Sequence, residues 1–151
     1  MKVICVTGTP GTGKTTLAKE LAKKQGNKYL DANIVIKQNK LTETHDKKRK
    51  CWTINTKKLN SYLIKEINKA KKEKVKNLII DSHLSHYLPK KYVNLCIVTK
   101  TNLKELEKRL KKRKYSKEKI KENLECEIFD ICLNEAKQNR HKIKIIQMVN
   151  L

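Results

Sequence analysis

Hydrophobic positions fall into short β-branched runs that alternate with stretches of helical spacing. Lys2 to Thr7 (KVICVT), closed by Gly8, predicts a buried strand. From Lys14 to Lys24, Leu17, Ala18, Leu21 and Ala22 recur on one helical face, and Gly26 with Asn27 ends the pattern. Lys28 to Asp31 reads as a short strand. Asn33 to Cys51 is polar, carries neither period, and reads as an excursion from the domain. Thr56 stands where a cap would open a helix bearing Leu59, Leu63, Ile67 and Ala70 on one face. Asn77 to Asp81 (NLIID) and Val93 to Val98 (VNLCIV) are two further apolar strands. Asn102 with Glu105 has the form of a capping box before Leu103, Leu106 and Leu110. The basic run Lys111 to Lys114 interrupts that helix. Ser116 then opens a long one with Ile120, Leu124, Ile128 and Ile131 inward, and Lys142 to Val149 closes the chain as a strand. Five strands with helices between them and no hairpin signal predict a three-layer α/β fold. Its central five-stranded sheet is mostly parallel and covered on both faces, in a single domain over residues 1–151.

Composition narrows this only slightly. With 38% hydrophobic residues and 5% aromatic, the core must rest on Ile, Leu and Val. No apolar run approaches the ~18 residues that suggest a membrane span. The residues after Met1 lead straight into a glycine loop without the layout of a signal peptide, so a soluble, cytoplasmic protein is expected. Cys5, Cys51, Cys96, Cys126 and Cys132 contain no CxxC pair, which argues against a disulfide framework or a zinc site. The 37 Lys and Arg against 15 Asp and Glu leave a net charge of +22. Such a surface attracts polyanions such as RNA. A Lys-, Ile- and Asn-rich composition imposed by an AT-rich genome explains the bulk charge equally well, and lysine spread over every segment names no partner.

The chemistry concentrates at the first strand–helix junction. Gly8-Thr9-Pro10-Gly11-Thr12-Gly13-Lys14-Thr15 fits G-x-x-x-x-G-K-[ST] without a mismatch, between a predicted strand and a predicted helix. A polyphosphate must be wrapped closely by backbone N–H groups. Gly8, Gly11 and Gly13 remove the side chains that would obstruct it, and the helix aims its positive end at the phosphates. In such a loop Lys14 bridges the β- and γ-phosphates, Thr15 ligates Mg²⁺ and Thr16 reaches the α-phosphate. Asp81 ends a parallel strand, on the sheet edge where Gly8 also lies, and suits a second Mg²⁺ contact; a capping Asp is the plainer reading. His83, two residues on, either positions a water or contacts a phosphate, or is an ordinary hydrogen-bonding residue. Arg109 and Arg113 lie one helical turn apart and hold two of the chain's four arginines. They either neutralise a moving phosphoryl group or form a solvated basic face.

Taken together, the Gly8–Thr16 loop, Asp81-Ser82-His83, Leu106-Glu107-Lys108-Arg109-Leu110 with Arg113 and Tyr115, and the stretch Glu122–Glu135 (ENLECEIFDICLNE) resemble the adenylate kinase isoenzyme six family over nearly the whole chain. The resemblance implies a P-loop NTPase fold that transfers phosphate from ATP to AMP or other nucleoside monophosphates. It also implies ATPase activity and a part in small ribosomal subunit maturation through small-subunit ribosomal protein eleven and pre-ribosomal rRNA. An assembly ATPase with incidental kinase activity is the alternative it leaves open. Carried over residue by residue, it makes Gly11, Gly13, Lys14, Thr15 and Thr16 the ATP-binding set, Arg113 the lid arginine, and Asp81 with His83 the Walker B-like pair. The monophosphate-binding segment becomes about 33–56 and the lid about 112–122. The chain departs from the family pattern at the basic stretch His45-Asp46-Lys47-Lys48-Arg49-Lys50, at Asn55 and Thr56, and at Lys114, where a glycine is usual.

Overall fold

The computed structural model describes residues 1–46 and 51–149. Five strands form one parallel sheet: β1 (Lys2–Gly8), β2 (Asn27–Asp31), β5 (Asn77–Asp81), β6 (Leu95–Lys100) and β7 (Ile143–Gln147), in the order β2-β5-β1-β6-β7. All five expected strands form. β1 is flanked by β5 on one side and β6 on the other, so the chain reverses its direction of travel across the sheet there. A crevice opens at such a switch point, beyond the carboxyl ends of the strands. The register sets Val6 beside Asp81 and Gly8 beside Thr99, which brings the candidates Gly8 and Asp81 to that edge.

Both faces of the sheet are covered. Val3, Cys5, Leu78, Ile80, Cys96 and Val98 face Leu59, Leu63, Ile67 and Ala70 of helix α3 (Thr56–Lys72) and Leu133 and Ala136 of helix α6 (Ile131–Gln138). Val6 and Ile79 face Ala18, Leu17 and Leu21 of helix α1 (Lys14–Ala22). The α3 stripe read from the sequence is fully buried, each Leu or Ile contributing about 1.5–3 kcal/mol by transfer alone.

The segment without a period is more ordered than its sequence suggests. It forms helix α2 (Ala32–Gln38) and a two-stranded antiparallel ribbon, β3 (Thr42–Asp46) with β4 (Cys51–Ile54), separate from the main sheet. No hairpin signal in the sequence marks this ribbon. Of the basic stretch, residues 47–50 lie outside the described residues. Asn55, not Thr56, caps α3: its side chain accepts from Lys58 N at 3.2 Å, and Thr56 is the first helical residue.

Beyond β6, helix α4 (Leu103–Lys112) is capped by Asn102, which accepts from Glu105 N at 2.8 Å. Ser116 caps helix α5 (Lys117–Ile128) through Lys119 N at 3.2 Å. The long helix expected after Ser116 is broken. Asp130 takes a left-handed conformation (φ 52°) and α6 starts anew, leaving Ile128 and Ile131 exposed rather than inward. The break lets α6 lie against the sheet with Cys132, Leu133 and Ala136 inward.

Four helices close in the same way. After α2, α3, α4 and α6, the residues Lys40, Lys74, Lys114 and Arg140 take positive φ. The next N–H then returns to the last turn: Leu41 to Ile36 O, Val75 to Ala70 O, Tyr115 to Leu110 O and His141 to Ala136 O. These are Schellman closures built without glycine.

Candidate active site

The loop after β1 is shaped by its glycines. Gly8 (φ 146°) lies against β6: a Cβ there would sit 2.7 Å from Thr99 O and collide with Thr99 Oγ1 as well. Gly11 and Gly13 both have φ 94°, in the region that disfavours a side chain. Thr12 Oγ1 donates back to Thr9 O at 2.7 Å and lies 2.7 Å from Thr99 Oγ1, which fastens the loop to the sheet. Lys14 Nζ donates to Thr9 O at 3.1 Å, curled over the loop. Burial is the main cause that lowers its pKa from 10.5 to about 8.

Asp81 meets the loop across the sheet edge. Its Oδ2 accepts from Thr15 Oγ1 at 2.6 Å and from Tyr29 OH at 2.7 Å. His83 lines the same cleft. Burial, then the neighbouring Lys14, His86 and Lys119, hold its imidazole down to about 4, so it is neutral at physiological pH. The two arginines diverge. Arg109 Nη1 donates to Gly11 O at 3.0 Å and Nε to Glu105 Oε1 at 3.0 Å, pinning α4 to the loop, while its Nη2 is buried with no hydrogen-bond partner. Arg113 is exposed, at the C-cap of α4. Both line one cleft of about 780 Å³ with Gly11, Gly13, Lys14, Thr15 and Thr16, within the range of small-ligand sites. Gly8 and the Thr99 contact form the loop's base behind it.

Two residues matter here that sequence reasoning did not single out. Tyr29 steadies Asp81 from β2, a contact spanning 52 residues with no local signal. Glu127 of α5 is 5% exposed and joins three elements: it accepts from Thr9 Oγ1 at 3.0 Å, Thr101 N at 2.9 Å and Lys100 Nζ at 2.8 Å. It is one of two glutamates in Leu124-Glu125-Cys126-Glu127-Ile128, and nothing local in the sequence marks it as the buried one. Asn33, Ile54, Leu84 and Tyr87 line the same cleft.

The residues present suit a magnesium nucleotide. Backbone N–H groups and Lys14 provide anion contacts, and the buried Arg109 Nη2 is a donor still to be satisfied. Thr15 hydroxyl and Asp81 carboxylate are hard oxygen donors side by side, the kind of partial ligand set that Mg²⁺ completes with water and phosphate.

This sheet order, loop and cleft define a P-loop phosphotransferase. Comparison with known proteins narrows the class. Residues 4–130 match a family model described as an AAA domain. A Methanocaldococcus jannaschii protein named "Putative adenylate kinase" is 39% identical over 140 residues, covering 93% of this chain and 75% of that protein. The "Adenylate kinase isoenzyme 6 homolog" of Dictyostelium discoideum is 33% identical over 147 residues, 95% of this chain and 78% of that protein. In fold, the chain is similar to a shikimate kinase from Acinetobacter baumannii in complex with shikimate (TM-score 0.58, 16% identity, 100% of this chain and 85% of that one). The chain belongs to the adenylate kinase isoenzyme six family. Among the described residues no helix is long and apolar enough to cross a membrane.

Proposed function

We propose that the chain transfers the γ-phosphoryl group of ATP to a nucleoside monophosphate, with AMP the first acceptor and others accepted, giving ADP from ATP and AMP. The observation that carries this is the one cleft lined together by the loop, the Thr15–Asp81 pair, the two arginines and Asn33, Ile54 and Tyr87. Donor and acceptor must meet in one enclosed space for direct transfer.

In this reading the N–H groups of Gly8 to Thr15 cradle the β- and γ-phosphates, Lys14 bridges them and Thr16 reaches the α-phosphate. Thr15 and Asp81 would hold Mg²⁺, which would supply charge neutralisation to the phosphates. Arg109 holds the loop through Gly11 and turns Nη2 to an anionic oxygen. Arg113 swings from the 112–122 corner onto the moving phosphoryl group. Neutral His83 orients the incoming oxygen by hydrogen bonding, without carrying a proton away. Segment 33–56 holds the monophosphate.

A coupled assay with ATP, Mg²⁺ and AMP, CMP, UMP or GMP tests the proposal. ADP formation that needs a monophosphate supports it; no turnover with any acceptor refutes it. Lys14→Ala is expected to lose nucleotide binding. Arg113→Ala should lower kcat at least tenfold with an unchanged melting temperature, because an exposed side chain contributes little to the core.

The family resemblance leaves open a second role on the same scaffold, a nucleotide-dependent ATPase that binds pre-ribosomal rRNA or small-subunit ribosomal protein eleven, and the net charge of +22 suits an RNA partner without naming one. Hydrolysis of ATP without acceptor, and recovery of that protein or rRNA only in one nucleotide state, would support it. Recovery of neither in any state would remove it.

A further inference from the structure

The phosphate loop carries Gly8, Gly11 and Gly13, all at positive φ, so its own backbone holds it weakly. A loop left free must be ordered each time a polyphosphate enters, and that entropy is lost from affinity. Side chains from outside the loop supply the order. Arg109 of α4 donates to Gly11 O at 3.0 Å, and Thr99 Oγ1 of β6 lies 2.7 Å from Thr12 Oγ1. A third tie is the Thr9 hydroxyl, which donates to Glu127 Oε1 of α5 at 3.0 Å. Thr9 and Glu127 are both buried, so this bond is sheltered from water.

Thr9 is the junction of the loop. Its carbonyl accepts from Lys14 Nζ at 3.1 Å, from Thr12 Oγ1 at 2.7 Å and from Thr12 N at 3.2 Å. The place of Thr9 therefore sets where Lys14 and the following N–H groups start from. Glu127 is itself fixed from the end of β6. Its Oε2 accepts from Thr101 N at 2.9 Å, and Lys100 Nζ donates to Oε1 and to the Glu127 carbonyl, each at 2.8 Å. Lys100 supplies the counter-charge that a buried carboxylate requires. Three donors converge on this side chain, and a carboxylate, which has acceptor oxygens only, satisfies all three.

We propose that Glu127 is a positioning residue for the phosphate loop: through the Thr9 hydroxyl it holds the loop, and Lys14 with it, in the shape that receives the polyphosphate. The proposal deepens the kinase reading and rests on the loop being the nucleotide site. Neither Thr9 nor Glu127 lines the cleft, so the pair acts from behind the loop. The same bond ties the loop to the 112–122 corner. Helix α4 leads into that corner and α5 leads out of it, and each holds the loop at one point, Arg109 at Gly11 and Glu127 at Thr9. The corner that carries Arg113 is thus fastened on both sides to the loop it has to meet.

Thr9→Val removes the hydroxyl, keeps the branched shape and leaves Glu127 its Lys100 and Thr101 donors, so the fold is kept. Thr9→Ser keeps the hydroxyl. Calorimetry on the full chain, with ATP and Mg²⁺ and no acceptor, measures the affinity of each. Thr9→Val should bind ATP about fivefold or more weakly than wild type at unchanged stoichiometry, and Thr9→Ser within about twofold of wild type. A hydroxyl that merely supports the fold would lower the competent fraction, and so the stoichiometry, without changing the affinity. In the Glu127→Ala chain, Thr9→Val should add no further loss, because its partner is already gone. Wild-type affinity in Thr9→Val, an equal loss in Thr9→Ser, a loss of stoichiometry alone, or the full loss repeated on top of Glu127→Ala would overturn the proposal. Where Glu127→Ala does not fold, the two Thr9 variants decide by themselves. Binding is read without phosphotransfer, so a wild-type chain that binds ATP and phosphorylates no acceptor ends the kinase reading and leaves this one standing.

Discussion

Lys14 is the residue on which two free energies pull in opposite directions. Burial lowers its pKa to about 8, so between pH 8 and 10.5 the unfolded chain holds a proton that the folded chain has lost. The fold therefore gains stability relative to the unfolded chain as pH rises through that window and carries the cost of a poorly solvated charge below it. Polyphosphate binding has the reverse sign, because the protonated amine is the binding form. Affinity for ATP with Mg²⁺ should be level up to about pH 7.5 and fall above about pH 8, with a proton taken up on binding. Calorimetry at pH 8.5 in two buffers of different ionisation enthalpy measures that uptake, which should shrink towards zero at pH 7, where the amine is already protonated. An affinity independent of pH from 7 to 9.5 would remove Lys14 from the phosphates. Tyr29 makes a second test. Burial, with its donation to Asp81, raises its pKa and keeps the hydroxyl a donor. Tyr29→Phe removes one of two donors that orient the carboxylate, at a cost of about 1 kcal/mol. The Mg²⁺ concentration for half-maximal activity should rise several-fold, while ATP binding without metal stays unchanged. A shift in both would mean that Tyr29 merely supports the fold.

At the scale of elements, the helix ends explain what the sequence concealed. The loop and all five strands of the main sheet were legible, because glycine spacing and β-branched runs are local signals. The helix stops were not, because the chain has only four glycines and places Lys or Arg at left-handed closures. The α5–α6 break was hidden for a related reason. Ile128 and Ile131 continue the helical period, but buried Glu127, held by Thr9, Thr101 and Lys100, and left-handed Asp130 end the helix there. Long-range polar contacts override a local period. A left-handed residue with a Cβ costs roughly 1–2 kcal/mol, partly offset by the extra freedom glycine has in the unfolded chain. Lys74→Gly, at the exposed end of α3 away from the cleft, should therefore raise stability by about 1 kcal/mol. Lys69→Gly, inside α3, should lower it by about the same amount. Urea midpoints of the two variants measure this directly, and a destabilised Lys74→Gly would mean that the closure gains more from the lysine side chain than it loses to its backbone.

For the whole molecule, the dominant quantity is a net charge of +22 on 151 residues. The ion pairs given for the described residues do not offset it: Lys28–Glu73, Lys58–Glu43 and Lys111–Glu107 are exposed, Arg109–Glu105 is partly buried, and Lys100, between Glu127 and Asp130, joins a buried carboxylate. Exposed pairs contribute about 0–1 kcal/mol each. Like-charge repulsion over the surface must then oppose the compact state, since unfolding moves the charges apart. Salt screens that repulsion over about 10 Å at 0.1 M and about 3 Å at 1 M. The melting temperature should rise by several degrees as NaCl goes from ~0.02 M to ~0.5 M, with most of the gain below ~0.2 M. Lys14→Ala should show the same rise, because a general field does not depend on the phosphate loop. An equal concentration of sulfate should act more strongly through its double charge. Were the rise confined to wild type, specific occupancy of the loop by anion would explain it instead. A melting temperature that stayed flat or fell with salt would show that the lysines are compensated locally, and the attraction to polyanions would then have to come from a defined patch rather than from the total charge.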